Sequence, residues 1–78
     1  MLFRSYGKYD QMVSRVAYAY RQQSKLGEAE EFLLDSMRKR PDLVSLYPLL
    51  AAVYEDQKKF EESRLVLERG EQIGRAHV

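Results

Sequence analysis

The sequence predicts an all-α fold made of two stacked antiparallel helical hairpins. The chain matches itself when it is shifted by 34 residues, and the matching residues recur at helical spacing. Turn signals then divide each copy into two segments, each long enough for one helix. We expect one repeat at residues 10–43 and a second at residues 44–71, after a short lead-in at residues 6–9.

In each copy the first helix carries apolar residues at positions i, i+3, i+4 and i+7, which lie on one helical face. These residues are Val13, Val16, Ala17 and Tyr20 in the first copy and Tyr47, Leu50, Ala51 and Tyr54 in the second. Both helices of each copy also carry small residues, which let a neighbouring helix approach closely. The small residues are Ala17, Ala29, Ser36, Ala51, Ser63 and Gly70.

The boundaries of the helices follow from the turn signals between them. We expect helices at residues 10–23, 25–40, 45–57 and 59–72. The basic run at residues 38–40, followed by Pro41, is typical of a helix that ends there. Asp42 or Ser45 is predicted to cap the third helix, and Pro48 to lie in or near its first turn.

Each hairpin also has an apolar residue near its turn. Leu26 lies near the first turn, and Phe60 occupies the same place in the second copy. We expect each of them to seal the open end of its hairpin by packing between the two helices.

The two ends of the chain are interpreted as foreign to the natural protein. Residues 1–5 can be encoded as GTG CTC TTC CGA TCT, and residues 72–78 as CAG ATC GGA AGA GCA CAC GTC. The second string contains the reverse complement of the first, and both resemble a sequencing adapter translated from either end. We therefore expect residues 6–71 to be an internal piece of a longer gene. His77, the only histidine, lies outside that piece and carries no predicted metal or pH-dependent role.

The repeat resembles the tetratricopeptide repeat, a family with a period of about 34 residues and two antiparallel helices per repeat. The first copy carries the resemblance through Val13, Val16, Ala17, Tyr20, Leu26, Ala29, Leu33, Ser36 and Pro41. The second copy carries it through Tyr47, Leu50, Ala51, Tyr54, Phe60, Ser63, Leu67 and Gly70. Members of the family usually have glycine between their two helices, where this chain has Ser24 and Lys58. Pro48 inside the third helix also departs from the pattern.

The composition argues against several classes of function. The chain has no cysteine, so it has neither disulfides nor thiolate metal sites. Its 13 basic and 12 acidic residues give a formal net charge of +1, which does not indicate a nucleic-acid partner. The longest uncharged run, residues 43–54, is too short to span a bilayer, so we expect no membrane insertion. The carboxylates follow helix starts, and no nucleophile is paired with a histidine, so we expect no enzyme and no cofactor.

The resemblance implies a concave groove, lined by the first helix of each repeat, that binds peptides in this family. Its candidate residues are Gln11, Ser14, Arg15, Tyr18, Arg21, Gln22, Ser45, Leu49, Ala52, Glu55 and Asp56. Arg15 and Arg21 could pair with an acidic side chain or with a C-terminal carboxylate. Leu49 and Ala52 offer a short apolar wall. Taken one at a time, each position also fits an ordinary exposed residue.

The sequence therefore predicts a protein–protein interaction scaffold that binds a peptide or a partner protein. The alternative is a structural or regulatory helical-repeat appendage of a larger enzyme, of a secretion or transport assembly, or of a transcription regulator. The two end helices have no capping repeat, so we expect exposed apolar residues there and self-association through them. The residues concerned are Met12, Val16, Ala19, Leu65, Val66 and Leu67. The sequence does not fix the compartment, for which the cytoplasm is the default.

Overall fold

The computed structural model describes residues 4–76, and within them the side chains of residues 8–75. This part of the chain is all-α, with four helices and no strand. The helices are α1 (Arg4–Gln22), α2 (Leu26–Lys39), α3 (Leu46–Asp56) and α4 (Phe60–Ala76). The all-α class and the order of the four helices are confirmed.

Helix α1 packs against both α2 and α3, α2 also packs against α3, and α4 packs against α3. Val13 from α1, Leu33 from α2 and Leu46 from α3 belong to one buried cluster. This core lies between the first three helices. Ala17, Ala29, Ala51 and Ser63 are all buried, as their small size predicts.

A close helix approach is found at Gly70 of α4, which lies against Tyr47 of α3. A Cβ atom at Gly70 would lie 2.8 Å from the Cβ atom of Tyr47, closer than two carbon atoms pack. The absence of a side chain at this position therefore sets the distance between α3 and α4.

The turns between α1 and α2 and between α3 and α4 have the same backbone geometry. Ser24 and Lys58 have φ angles of 60° and 67°, in the left-handed region that favours glycine. In the first turn the N–H of Lys25 donates to the Tyr20 carbonyl over 2.9 Å. In the second the N–H of Lys59 donates to the Tyr54 carbonyl over 2.8 Å. The N–H groups of Ser24 and Lys58 also donate, each to the carbonyl three residues earlier. Each turn is therefore a Schellman motif, which satisfies the carbonyls that a helix end leaves free.

Three local expectations are wrong. Helix α1 begins at Arg4 rather than at residue 10, because residues 4–9 contain no proline that would prevent helix formation. Helix α4 continues to Ala76 rather than stopping at residue 72, since the single Gly74 weakens a helix without ending it. Ser45 occupies the N-cap position of α3 but makes no capping hydrogen bond.

Phe60 is also placed differently from the expectation. It is the first residue of α4 and is 63 % exposed, so it seals no hairpin. No helix among residues 4–76 lies beyond α4 to cover it. The adapter-like segments are described only in part: residues 1–3, His77 and Val78 lie outside the described residues. In the described part of the chain, no helix combines the length and hydrophobicity that a membrane span requires.

Candidate functional site

The candidate site is the surface shared by α1 and α3, which two polar contacts hold side by side. At one end the hydroxyl of Ser45 donates to Oδ2 of Asp10. At the other end Nε of Arg21 lies 2.6 Å from Oδ2 of Asp56. Both contacts join residues 35 positions apart, so they fix the register of α3 against α1.

An open cleft of about 350 Å³ lies on this surface, close to the end that holds the Asp10–Ser45 contact. Its surface is mostly apolar. The cleft is lined by Asp10, Gln11, Ser14, Arg15, Ser45 and Leu49. Five of these six residues were groove candidates from the sequence, and the structure brings them together.

Arg15 and Leu49 give the cleft its chemical character. Arg15 is exposed, and among the described residues no carboxylate lies within ion-pair distance of its guanidinium. Leu49 is half-buried and packs against the core, so its exposed part forms a fixed apolar surface. A free guanidinium beside a rigid apolar surface can bind a carboxylate and an apolar side chain at the same time.

Arg21 differs from Arg15 because its guanidinium is already paired with the carboxylate of Asp56. The hydrogen bond to Asp56 raises the pKa of the Arg21 guanidinium, against the smaller opposing effect of burial. Both side chains are about one-third exposed, so the pair lies at the edge of the surface. Arg21 and Asp56 therefore hold α1 against α3, and a ligand carboxylate at Arg21 would have to compete with Asp56.

The other candidate residues lie outside the cleft lining. Tyr18 is 59 % exposed, in agreement with its expected place away from the core, and Gln22 is also exposed. Ala52 is half-buried on α3. Glu55 accepts a hydrogen bond of 3.4 Å from the Ser63 hydroxyl, which ties it to α4.

Asp10 was missed as a site residue because the sequence assigns it to the start of the first helix. Its Oδ1 atom is buried and has no hydrogen-bond partner, while its Oδ2 accepts from Ser45. The 35-residue separation that it shares with the Arg21–Asp56 pair is the signal that could have found it.

The basic run at residues 38–40 lies at the end of α2 and is matched by carboxylates. Arg38 and Lys39 both pair with Asp35 over 3.1 Å. Hydrogen bonds from Lys39 and then Arg38 lower the pKa of Asp35. Arg40 pairs with Asp42 over 3.2 Å and lies 5.5 Å from the ring centre of Tyr9. These cations act as helix-end charges with acidic partners.

A second polar cluster joins α2 to the turn between α3 and α4. Oε1 of Glu30 lies 3.1 Å from Nε2 of Gln57 and 3.9 Å from Nζ of Lys59. The Lys59 ammonium also lies 5.9 Å from the ring centre of Tyr54. Burial raises the pKa of Tyr54, and the charges of Glu30 and Glu62 add to the effect. The cluster links the first helical pair to the second.

Within residues 4–76, no three His, Cys, Asp or Glu side chains come together as a metal site. Comparison of the chain with protein-family models, with curated proteins and with solved structures gave no match. The case for a function therefore depends on the internal repeat and on the surface of α1 and α3.

Proposed function

We propose that this chain is a pair of tetratricopeptide-like hairpins that acts as a protein–protein interaction scaffold, with its binding groove on α1 and α3. One observation carries the proposal: residues 34 positions apart adopt the same turn geometry, which makes α1 and α3 equivalent helices that lie side by side. Equivalent helices in that arrangement build an extended surface, and binding to it needs no catalytic residue.

The chemistry of the cleft favours a protein segment as the ligand. Leu49 supplies a fixed apolar contact, Arg15 a free cation, and Gln11 and Ser14 supply hydrogen-bonding groups. A short peptide offers the matching set, with an apolar side chain, a carboxylate and backbone amides. Tyr18 extends the same side of α1 beyond the cleft and adds an exposed aromatic contact.

The test is a selection of peptides that bind the chain, from a library of random peptides with free C-termini. Selected peptides are then measured against Arg15→Ala and Leu49→Asp, and against the control Leu65→Asp. Leu65 is an exposed leucine on α4, away from the cleft. Leu65→Asp is therefore the same substitution as Leu49→Asp, but at a position outside the cleft. We expect a loss of about tenfold or more for the two cleft variants and none for the control.

Two results would decide against parts of this proposal. Peptides whose affinity falls with Leu65→Asp and not with Leu49→Asp would move the binding surface from α1 and α3 to α4. If the affinity is unchanged in Arg15→Ala, the ligand does not bind through a carboxylate at Arg15, and only the apolar contact at Leu49 remains.

A further inference from the structure

Some apolar residues exposed at the two ends of the molecule lie 34 positions from residues that are buried in its core. Leu33 of α2 and Leu46 of α3 are fully buried and belong to the one cluster that lies between the first three helices. Shifted by 34 residues, Leu33 corresponds to Leu67 of α4, and Leu46 corresponds to Met12 of α1. Leu67 is 44 % exposed and Met12 is 47 % exposed.

The correspondence extends along both helices. Met12, Val16 and Ala19 of α1, which we call the head face, match Leu46, Leu50 and Val53, all buried in α3. Phe60 and Leu67, which we call the tail face, lie seven residues apart on α4, on one side of that helix. Phe60 is also exposed. The surfaces that cover each other inside the chain thus recur, uncovered, at its two ends.

We infer that the tail face of one copy of this chain binds the head face of a second copy, in the way that α2 binds α3 within the chain. The proposal concerns the ends of the molecule and is separate from the groove on α1 and α3. The contact is heterologous, because two different surfaces meet in it, and each new copy leaves one head face and one tail face free. Association is therefore open-ended.

The charges near the two faces differ from those at the equivalent positions inside the chain. Inside the chain, Glu30 of α2 meets Lys59 in the turn before α4. The counterparts in the contact between copies are Arg64 on the tail side and Lys25 on the head side. Arg64 is already paired with two carboxylates, those of Glu61 and Glu68, so the three charges together are negative. The carboxylates of Glu61 and Glu68 would thus offset the repulsion between Arg64 and Lys25, which stand at the positions where Glu30 and Lys59 pair inside the chain.

The experiment is to measure the molecular mass of the chain in solution as its concentration is raised about a hundredfold. We expect the mean mass to rise above the 9.2 kDa of one chain without reaching a fixed oligomer. Met12→Glu and Leu67→Glu should each abolish the rise, since each puts a charge at the centre of one face. Both positions are partly exposed on helices, so circular dichroism should show that the variants keep the fold.

Mixing the two variants separates a head-to-tail contact from a symmetric one. The Met12→Glu chain keeps its tail face and the Leu67→Glu chain keeps its head face, so an equal mixture should give a dimer and stop there. A symmetric contact between two α4 helices would instead be lost in Leu67→Glu alone, and the Met12→Glu chain would form a dimer without the other variant. That result would overturn the proposal, as would a wild-type chain that stays monomeric throughout.

Leu65→Glu is the matched control for Leu67→Glu. Leu65 is as exposed as Leu67, but it lies two residues away and thus on nearly the opposite side of α4. It should leave the rise in mass unchanged. If Leu65→Glu and Leu67→Glu reduce the rise in mass equally, nonspecific hydrophobic association of α4, and not the tail face, drives self-association. The proposal would then fail.

Discussion

The two helical pairs of this molecule share their backbone geometry but differ in how deeply they are buried. Ser24 and Lys58 occupy the same left-handed position in equivalent turns, and the hydrogen bonds around them match. Leu33 is fully buried, whereas its counterpart Leu67 is 44 % exposed. Local sequence thus sets the shape of each pair, and the neighbouring helix sets how much apolar surface each pair buries.

The difference explains where stability should come from. Helix α2 has α1 on one side and α3 on the other, while α4 has α3 alone among the described helices. Apolar residues stabilise a fold in proportion to the area that they remove from water. The same residue type therefore contributes much more to stability in the first pair than in the second, and four sets of substitutions can test this comparison.

The largest difference should appear between Leu33→Ala and Leu67→Ala. Leu33→Ala removes a fully buried side chain and should lower the free energy of unfolding by about 2–5 kcal/mol, which is enough to unfold so small a domain. Leu67→Ala should cost less than about 1 kcal/mol, because its side chain is already half in water. Urea unfolding followed by circular dichroism measures both. Equal costs would show that burial does not distinguish the two pairs.

Gly70→Ala should have the next largest effect. The new Cβ atom would lie 2.8 Å from that of Tyr47, so α3 and α4 must move apart, at a cost of about 1–3 kcal/mol. Gly27→Ala is the control, since nothing lies within 4 Å of the added atom. That change should instead stabilise α2 by up to about 1 kcal/mol, because alanine favours a helix over glycine. Thermal unfolding of the two variants should shift in opposite directions.

Ser24→Gly and Lys58→Gly should both stabilise the chain, by about 1 kcal/mol each. Both residues have positive φ angles, which cost a side-chain-bearing residue about that much and cost glycine little. Ser24→Ala keeps the strained backbone and should bring no gain. A gain at one turn without the other, measured by thermal unfolding, would contradict the equivalence of the two turns.

The smallest effect should come from the Arg21–Asp56 pair. Its side chains are about one-third exposed, so water and salt weaken the attraction, and a pair of this kind contributes about 0–1 kcal/mol. A double-mutant cycle of Arg21→Ala and Asp56→Ala should give a coupling energy in that range that falls at high salt. A coupling that does not respond to salt would place the pair in a drier environment than the structure does.

The sequence predicted those features that depend on neighbours along the chain. The helical spacing of residues such as Val13 and Ala17 fixed the faces of the helices, and the 34-residue repeat located both turns. Exposed apolar residues were expected at the two ends, and this is confirmed for Met12, Leu65 and Leu67. Val16 and Val66 are instead half-buried, and Val66 packs against the core.

Features that depend on the register between helices were not predictable in the same way. The Arg21–Asp56 pair and the Asp10–Ser45 contact join residues 35 positions apart, and no local pattern marks them. Phe60 was expected to pack between helices because its counterpart is Leu26, but it is exposed, and among residues 4–76 no helix lies beyond α4 to cover it. Residues at equivalent positions of the 34-residue repeat thus share their backbone conformation more closely than their side-chain contacts.

The most direct test of the account is to insert a second copy of residues 10–43 directly after Leu43. If the repeat is a structural unit, the added α1 will pack on α2 as α3 does, and the longer chain will fold as one cooperative unit. We expect one further helical pair by circular dichroism and a melting temperature higher by several degrees. An inserted segment that stays unfolded, or a melting temperature lower than that of the original chain, would contradict the central claim that the molecule is two copies of one unit.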